Sequence, residues 1–86
     1  QNYPNPFNPQ TIIPYDVARA SAVRLSLYAL TGQRIRTLVE GERFPGSYSV
    51  VWNGKDAVGR DVASGVYLCR MVAGRFTATR KLVLIR

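Results

Sequence analysis

The sequence predicts an all-β sandwich, and three observations predict it. Short runs of two-residue periodicity recur at about ten-residue spacing, Gly and Pro punctuate them, and β-branched and aromatic residues dominate them. No segment carries an apolar stripe of helical period and useful length. A small barrel is the second architecture compatible with the same pattern. At 86 residues and 9.6 kDa there is room for one domain with a thin core.

The elements follow in order. Residues 1–9, QNYPNPFNP, hold three prolines and three asparagines. Proline lacks a backbone donor and pushes its predecessor toward extended conformations, so this stretch reads as an extended arm preceding a domain at 10–86. Tyr3 and Phe7 are its apolar anchors. Thr11 to Val17 reads as a strand with Ile13, Tyr15 and Val17 on one side, and Pro14 places it at a sheet edge. In Ala22 to Leu30, Val23, Leu25 and Leu27 alternate with Arg24, Ser26 and Tyr28. Thr31-Gly32-Gln33 is a tight turn. Arg34 to Val39 follows, with Ile35, Thr37 and Val39 opposite Arg34, Arg36 and Leu38. Glu40 to Gly46 reads as a polar connector. Ser47 to Trp52 sets Tyr48, Val50 and Trp52 to one face.

Asn53 to Ser64 is the longest irregular stretch. Gly65 to Val72 turns Tyr67, Cys69 and Met71 to one side and Arg70 to the other. Ala73-Gly74-Arg75 is a hairpin turn, and Phe76 to Arg86 is the last strand. The end of that strand, Lys81 to Ile85, is too uniformly apolar to assign an inward face by alternation.

Composition excludes much. One cysteine, Cys69, cannot form an internal disulfide, and with no histidine the Cys-His zinc sites and the Ser-His-Asp and Cys-His catalytic sets are unavailable. Cys69 alternates with Tyr67 and Met71 and reads as a small buried hydrophobe. No run reaches the ~18 apolar residues of a membrane span. The opening residues lack the basic and apolar regions of a signal peptide, so the expectation is a processed chain or a module of a longer one.

The five carboxylates include Glu40 and Glu42 close together, but an acid/base pair needs a cleft that a chain this short does not enclose. No enzymatic activity and no cofactor are expected. Asn53, Asp56 and Asp61 are the calcium candidates, as oxygen ligands on one loop. Lys55 and Arg60 within that loop oppose a cation, and Asx-turns explain the same residues.

The net charge is +7, and ten of the twelve cations are arginine. Arg24, Arg34, Arg36, Arg70, Arg75, Arg80 and Arg86 mostly fall opposite apolar strand positions, which predicts a cationic outer face. Such a face suits an anionic cell-surface glycan or an acidic protein. Nucleic acid fits less well, because exposed aromatics to stack bases are missing apart from Tyr28.

A series of motifs then carries a family resemblance. Tyr3-Pro4-Asn5-Pro6-Phe7-Asn8-Pro9 is followed by Val23 to Gly32 and Ile35 to Val39. Next come Trp52-Asn53-Gly54-Lys55-Asp56, Ser64-Gly65-Val66-Tyr67 and the terminal Arg80 to Arg86. This order resembles the C-terminal sorting domain of type IX secretion cargo. It is also similar to the immunoglobulin-like domain of the flagellar hook-capping protein. The resemblance implies an immunoglobulin-like sandwich of about seven antiparallel strands, with Pro4, Asn5, Pro6, Phe7, Trp52, Gly54, Gly65 and Tyr67 as its motif residues.

It also implies a sorting and surface-attachment module, read by outer-membrane secretion or sortase machinery, at the bacterial surface or outside the cell. The alternative is a self-assembling structural subunit of an extracellular filament or appendage. That subunit would contact other copies of itself through the arm or edge strands. The expected interaction residues are Tyr3, Phe7, Arg24, Arg36, Arg70, Arg80, Lys81 and Arg86.

Overall fold

A computed structural model of the chain describes residues 10–85. The arm at 1–9 and Arg86 lie outside the described residues, and with them the expectations for Tyr3, Pro4, Asn5, Pro6, Phe7 and Arg86.

Six strands follow one another: β1 (Thr11–Val17), β2 (Ser21–Ala29), β3 (Arg34–Arg43), β4 (Gly46–Trp52), β5 (Gly65–Ala73) and β6 (Phe76–Leu84). They form two antiparallel sheets, one of β1 and β4 and one in the order β3-β2-β5-β6. Alternation read from the sequence places the core correctly. Ile13, Tyr15 and Val17 of β1 and Trp52 of β4 are buried in one cluster with Val23, Leu25 and Leu27 of β2 and Tyr67, Cys69 and Met71 of β5. The six strands match the six runs in the sequence, and the count of about seven that the resemblance implied is not reached among the described residues.

Trp52 is the keystone of that cluster. Its ring is fully buried and meets Tyr67 edge-on, with centroids 5.3 Å apart and planes at 78°. Its Nε1–H donates to the Lys55 carbonyl at 2.9 Å, so the indole enters the core without leaving a donor unpaired. Tyr15 and Tyr48 stack across β1 and β4 at 5.4 Å.

The third strand departs from simple alternation. Glu40 to Gly46 reads as a connector in the sequence, but β3 runs on to Arg43 and leaves only Phe44 and Pro45 as the corner. Its pairing with β2 shifts register twice, between Leu25 and Ser26 and between Leu27 and Tyr28. A bulge adds one residue to a strand and reverses the face of those beyond it. Arg36 therefore sits opposite inward-facing Leu27, half-buried, and its Nη1 donates to the Lys55 carbonyl at 3.5 Å. This corrects the expectation that Arg36 belongs to the outer face.

The expected consequence of this packing is uneven sensitivity to truncation. Trp52→Ala should destabilise the fold by about 3–5 kcal/mol, and Val83→Ala, at a largely exposed position, by less than about 0.5 kcal/mol. Urea unfolding followed by circular dichroism reads both.

Candidate interaction surface

The two layers differ in width, and the difference opens one flank. On the β3–β4 side the layers are joined by the Phe44–Pro45 corner. They are joined again where the Ala57 amide donates to the Ile35 carbonyl at 3.1 Å. On the other side, β1 and β6 are both sheet edges among the described residues. Arg80 of β6 crosses between them and donates from Nη2 to the Pro14 carbonyl.

Arg80 is a second correction to the cationic outer face. Its partner in the ladder is Cys69, an inward position, so Phe76, Ala78, Arg80, Leu82 and Leu84 form the inner face of β6. Burial along that face is greatest at the Leu84 end and least at the Phe76 end, with Arg80 exposed between half-buried neighbours. Leu84 is 2% exposed, Leu82 and Ala78 are half-buried, and Phe76 is 58% exposed. Layer β1–β4 stops short of covering the Phe76 end.

Two connected cavities mark the uncovered region. One, of about 300 Å³, lies among Pro14, Leu25, Cys69, Met71 and Arg80. The other, of about 630 Å³, runs from the β1–β2 loop at Val17 to Ser21 across to Ala73, Arg75 and Phe76. Asp16, Met71 and Phe76 line both. The result is an apolar groove with Arg19, Arg75 and Arg80 on its rim. The Asp16 carboxylate, also there, accepts from Ser47 Oγ at 2.8 Å.

Among the remaining expected residues, Arg24, Arg70 and Lys81 do lie exposed on the outer face of the four-stranded sheet. Arg24 is bound to Glu40 at 2.8 Å. Among the described residues, Arg24, Arg70 and Lys81 thus share the outer face, while Arg36 lies under the loop after β4 and Arg80 on the open flank, so these five do not form one site. Sequence reasoning missed Phe76 and the β1–β2 loop. A large aromatic at the start of a strand, two residues past a hairpin glycine, was the available signal.

The loop after β4 is held by its own side chains. Asn53 Oδ1 accepts from the Lys55 amide at 3.2 Å, and Asp56 Oδ1 accepts from the Val58 and Arg60 amides at 3.1 and 2.9 Å. Lys55 Nζ reaches Asp61 Oδ1 at 2.7 Å. The three calcium candidates share this loop, with their oxygens bonded to its amides and to Lys55. Among the described residues no group of three or more His, Cys, Asp or Glu is placed to hold a metal ion. Gly54 is buried beneath the loop with φ at 76°, a conformation that favours glycine.

The Arg60 amide is the main cause that holds the Asp56 carboxyl below its ordinary value of 3.8. The Val58 amide and the Arg60 guanidinium add to it, and desolvation opposes it. Burial pushes the Cys69 thiol up against the opposing charge of Arg80.

The chain matches the FlgD Ig-like domain over residues 10–75. It belongs to the FlgD Ig-like domain family. Among solved structures it is similar to FlgD from P. aeruginosa, with a TM-score of 0.68 and 22% identity, a likeness of fold. That match covers 87% of this chain and 59% of the other, so the chain spans little more than half the length of that structure. No curated protein gives a significant sequence match.

Membership in the FlgD Ig-like family overturns the type IX sorting module as the main reading. The physical reason lies in what the motif residues do. Trp52 and Tyr67 are core, Gly54 is a buried turn, and Gly65 starts β5 opposite Leu84. Tyr67 Oη donates back to the Ala63 carbonyl, the tyrosine-corner device of such sandwiches. These residues report the sandwich, and a sandwich does not specify a secretion route.

Two outcomes are expected of this site. A carboxyl whose folded pKa is lowered stabilises the fold above its unfolded value and loses that contribution as pH falls through its folded value. Urea midpoints should therefore drop as pH is lowered below about 4, and less steeply in Asp56→Asn. Alkylation of Cys69 by a maleimide should be slow in native buffer and fast in urea, since the thiol is 2% exposed.

Proposed function

We propose that the domain is a non-enzymatic structural module of an extracellular filament or appendage, of the flagellar hook-capping kind. In this reading it joins its assembly through its arm or its exposed sheet edges. The observation that carries the reading is membership in the FlgD Ig-like family. The open β1–β6 flank supports it, because an uncovered inner face needs a neighbour. The carboxylates support the non-enzymatic part. Glu40 is bound to Arg24, Asp16 to Ser47, and Asp56 to loop amides, at separate places on the molecule. A surface or extracellular location follows from the same reading.

Shearing of producing cells tests it. The domain, detected by antibody, should co-fractionate with the sheared appendages, and deletion of residues 10–86 should leave those appendages truncated or unassembled. Recovery of the domain only in the cell lysate, with appendages intact after deletion, would contradict the proposal.

A further inference from the structure

The groove on the open flank has a shape and a charge that select what fills it. Facing layers of a sandwich lie about 10 Å apart, which leaves room for one layer of side chains. An extended segment suits a groove bounded by two strand edges, β1 and β6. The floor, from Leu25 and Met71 to Phe76, is apolar and asks for apolar side chains at every second position.

The rim asks for the opposite of its own charge. Arg19 and Arg75 form no ion pair among the described residues, and Arg80 is bound to a neutral carbonyl. Three guanidiniums and one carboxylate, Asp16, thus line the two cavities, an excess of positive charge.

Backbone pairing along the middle of β1 is obstructed. Pro14 has no N–H, and its carbonyl is taken by Arg80. Recognition therefore falls to side chains. A second copy is a poor occupant, because each chain carries +7 and like charges repel on approach.

We propose that the β1–β6 groove binds an extended segment of an assembly partner in which apolar residues alternate with carboxylates. Apolar side chains lie against Met71 and Phe76, and the carboxylates meet Arg19, Arg75 and Arg80. This rests on the reading of the domain as a structural module, and it names the chemistry of the partner.

The probe is a labelled peptide of about ten alternating valine and glutamate residues, titrated into the full chain by fluorescence anisotropy. Controls are the valine–lysine and serine–glutamate versions. The acidic–apolar peptide should bind and both controls should bind about tenfold more weakly or not at all. Phe76→Ser and the charge reversal Arg75→Glu should each weaken binding about tenfold with the thermal melt unchanged. Raising salt from about 0.05 to 0.5 M should weaken it as well.

Equal binding of all three peptides, or no effect of the two variants, overturns the proposal. Binding that appears only after residues 1–9 are removed also overturns it, and assigns the groove to the arm. A concentration-dependent dimer abolished by Phe76→Ser overturns it in favour of a second copy. The two readings fail separately. Groove variants that bind no peptide differently, in a domain that still co-fractionates with sheared appendages, defeat the groove and spare the module.

Discussion

Among the described residues a layer of two strands covers a layer of four, and the rest of the structure depends on that mismatch. With strands about 4.8 Å apart, β1 and β4 present about half the width of the sheet beneath them. They can seal the core over β2 and β5, where Leu25, Leu27 and Cys69 are almost fully buried. They cannot also seal both outer strands. The chain resolves this on one side by covalent connection, turning β3 into β4 at Phe44–Pro45 and folding the 53–62 loop back onto Ile35. On the other side Arg80 is left to bridge a gap, and Phe76 stands uncovered.

This arrangement explains why a few polar bonds at the interior matter. Lys55 offers its carbonyl to the Trp52 indole and to Arg36, so the loop lids the Trp52 end of the core and pins β3 in its bulged register. Ser26, the buried polar residue of β2, meets Thr37 at 3.0 Å beside the first bulge. Each bond satisfies a group that the apolar neighbours could not, at a point where the ladder is irregular. Cys69 lies in the same interior, where its function is to fill volume.

Much of the fold was legible because strand alternation is a local signal. Val23-Leu25-Leu27 and Tyr67-Cys69-Met71 announce their inward faces in the sequence itself, and Pro14 announces an edge. What alternation cannot show is a change of phase. Arg36 looks outward by simple counting and turns inward because one bulge separates it from Val39 in the pairing, with the second lying beyond it. Arg80 is exposed, yet it lies on the inner side of its sheet, and nothing near it in sequence reveals that its ladder partner is Cys69. The groove was equally hidden, since it arises from two edges far apart in the chain. Motif resemblance found the FlgD-like sandwich and misled only toward the sorting module, for a related reason. Trp52, Gly54, Gly65 and Tyr67 are needed by the sandwich whatever the sandwich is for.

The central claim is that the β6 edge and its inner face at Phe76 are open in the isolated domain. Amide hydrogen exchange on the intact chain tests it most directly, because protection follows hydrogen bonding and cover. Every second amide of β6, those facing away from β5, should exchange rapidly, while the amides of β2 and β5 exchange slowly. Slow exchange along the whole of β6 would mean that the flank is already covered, and would contradict the account.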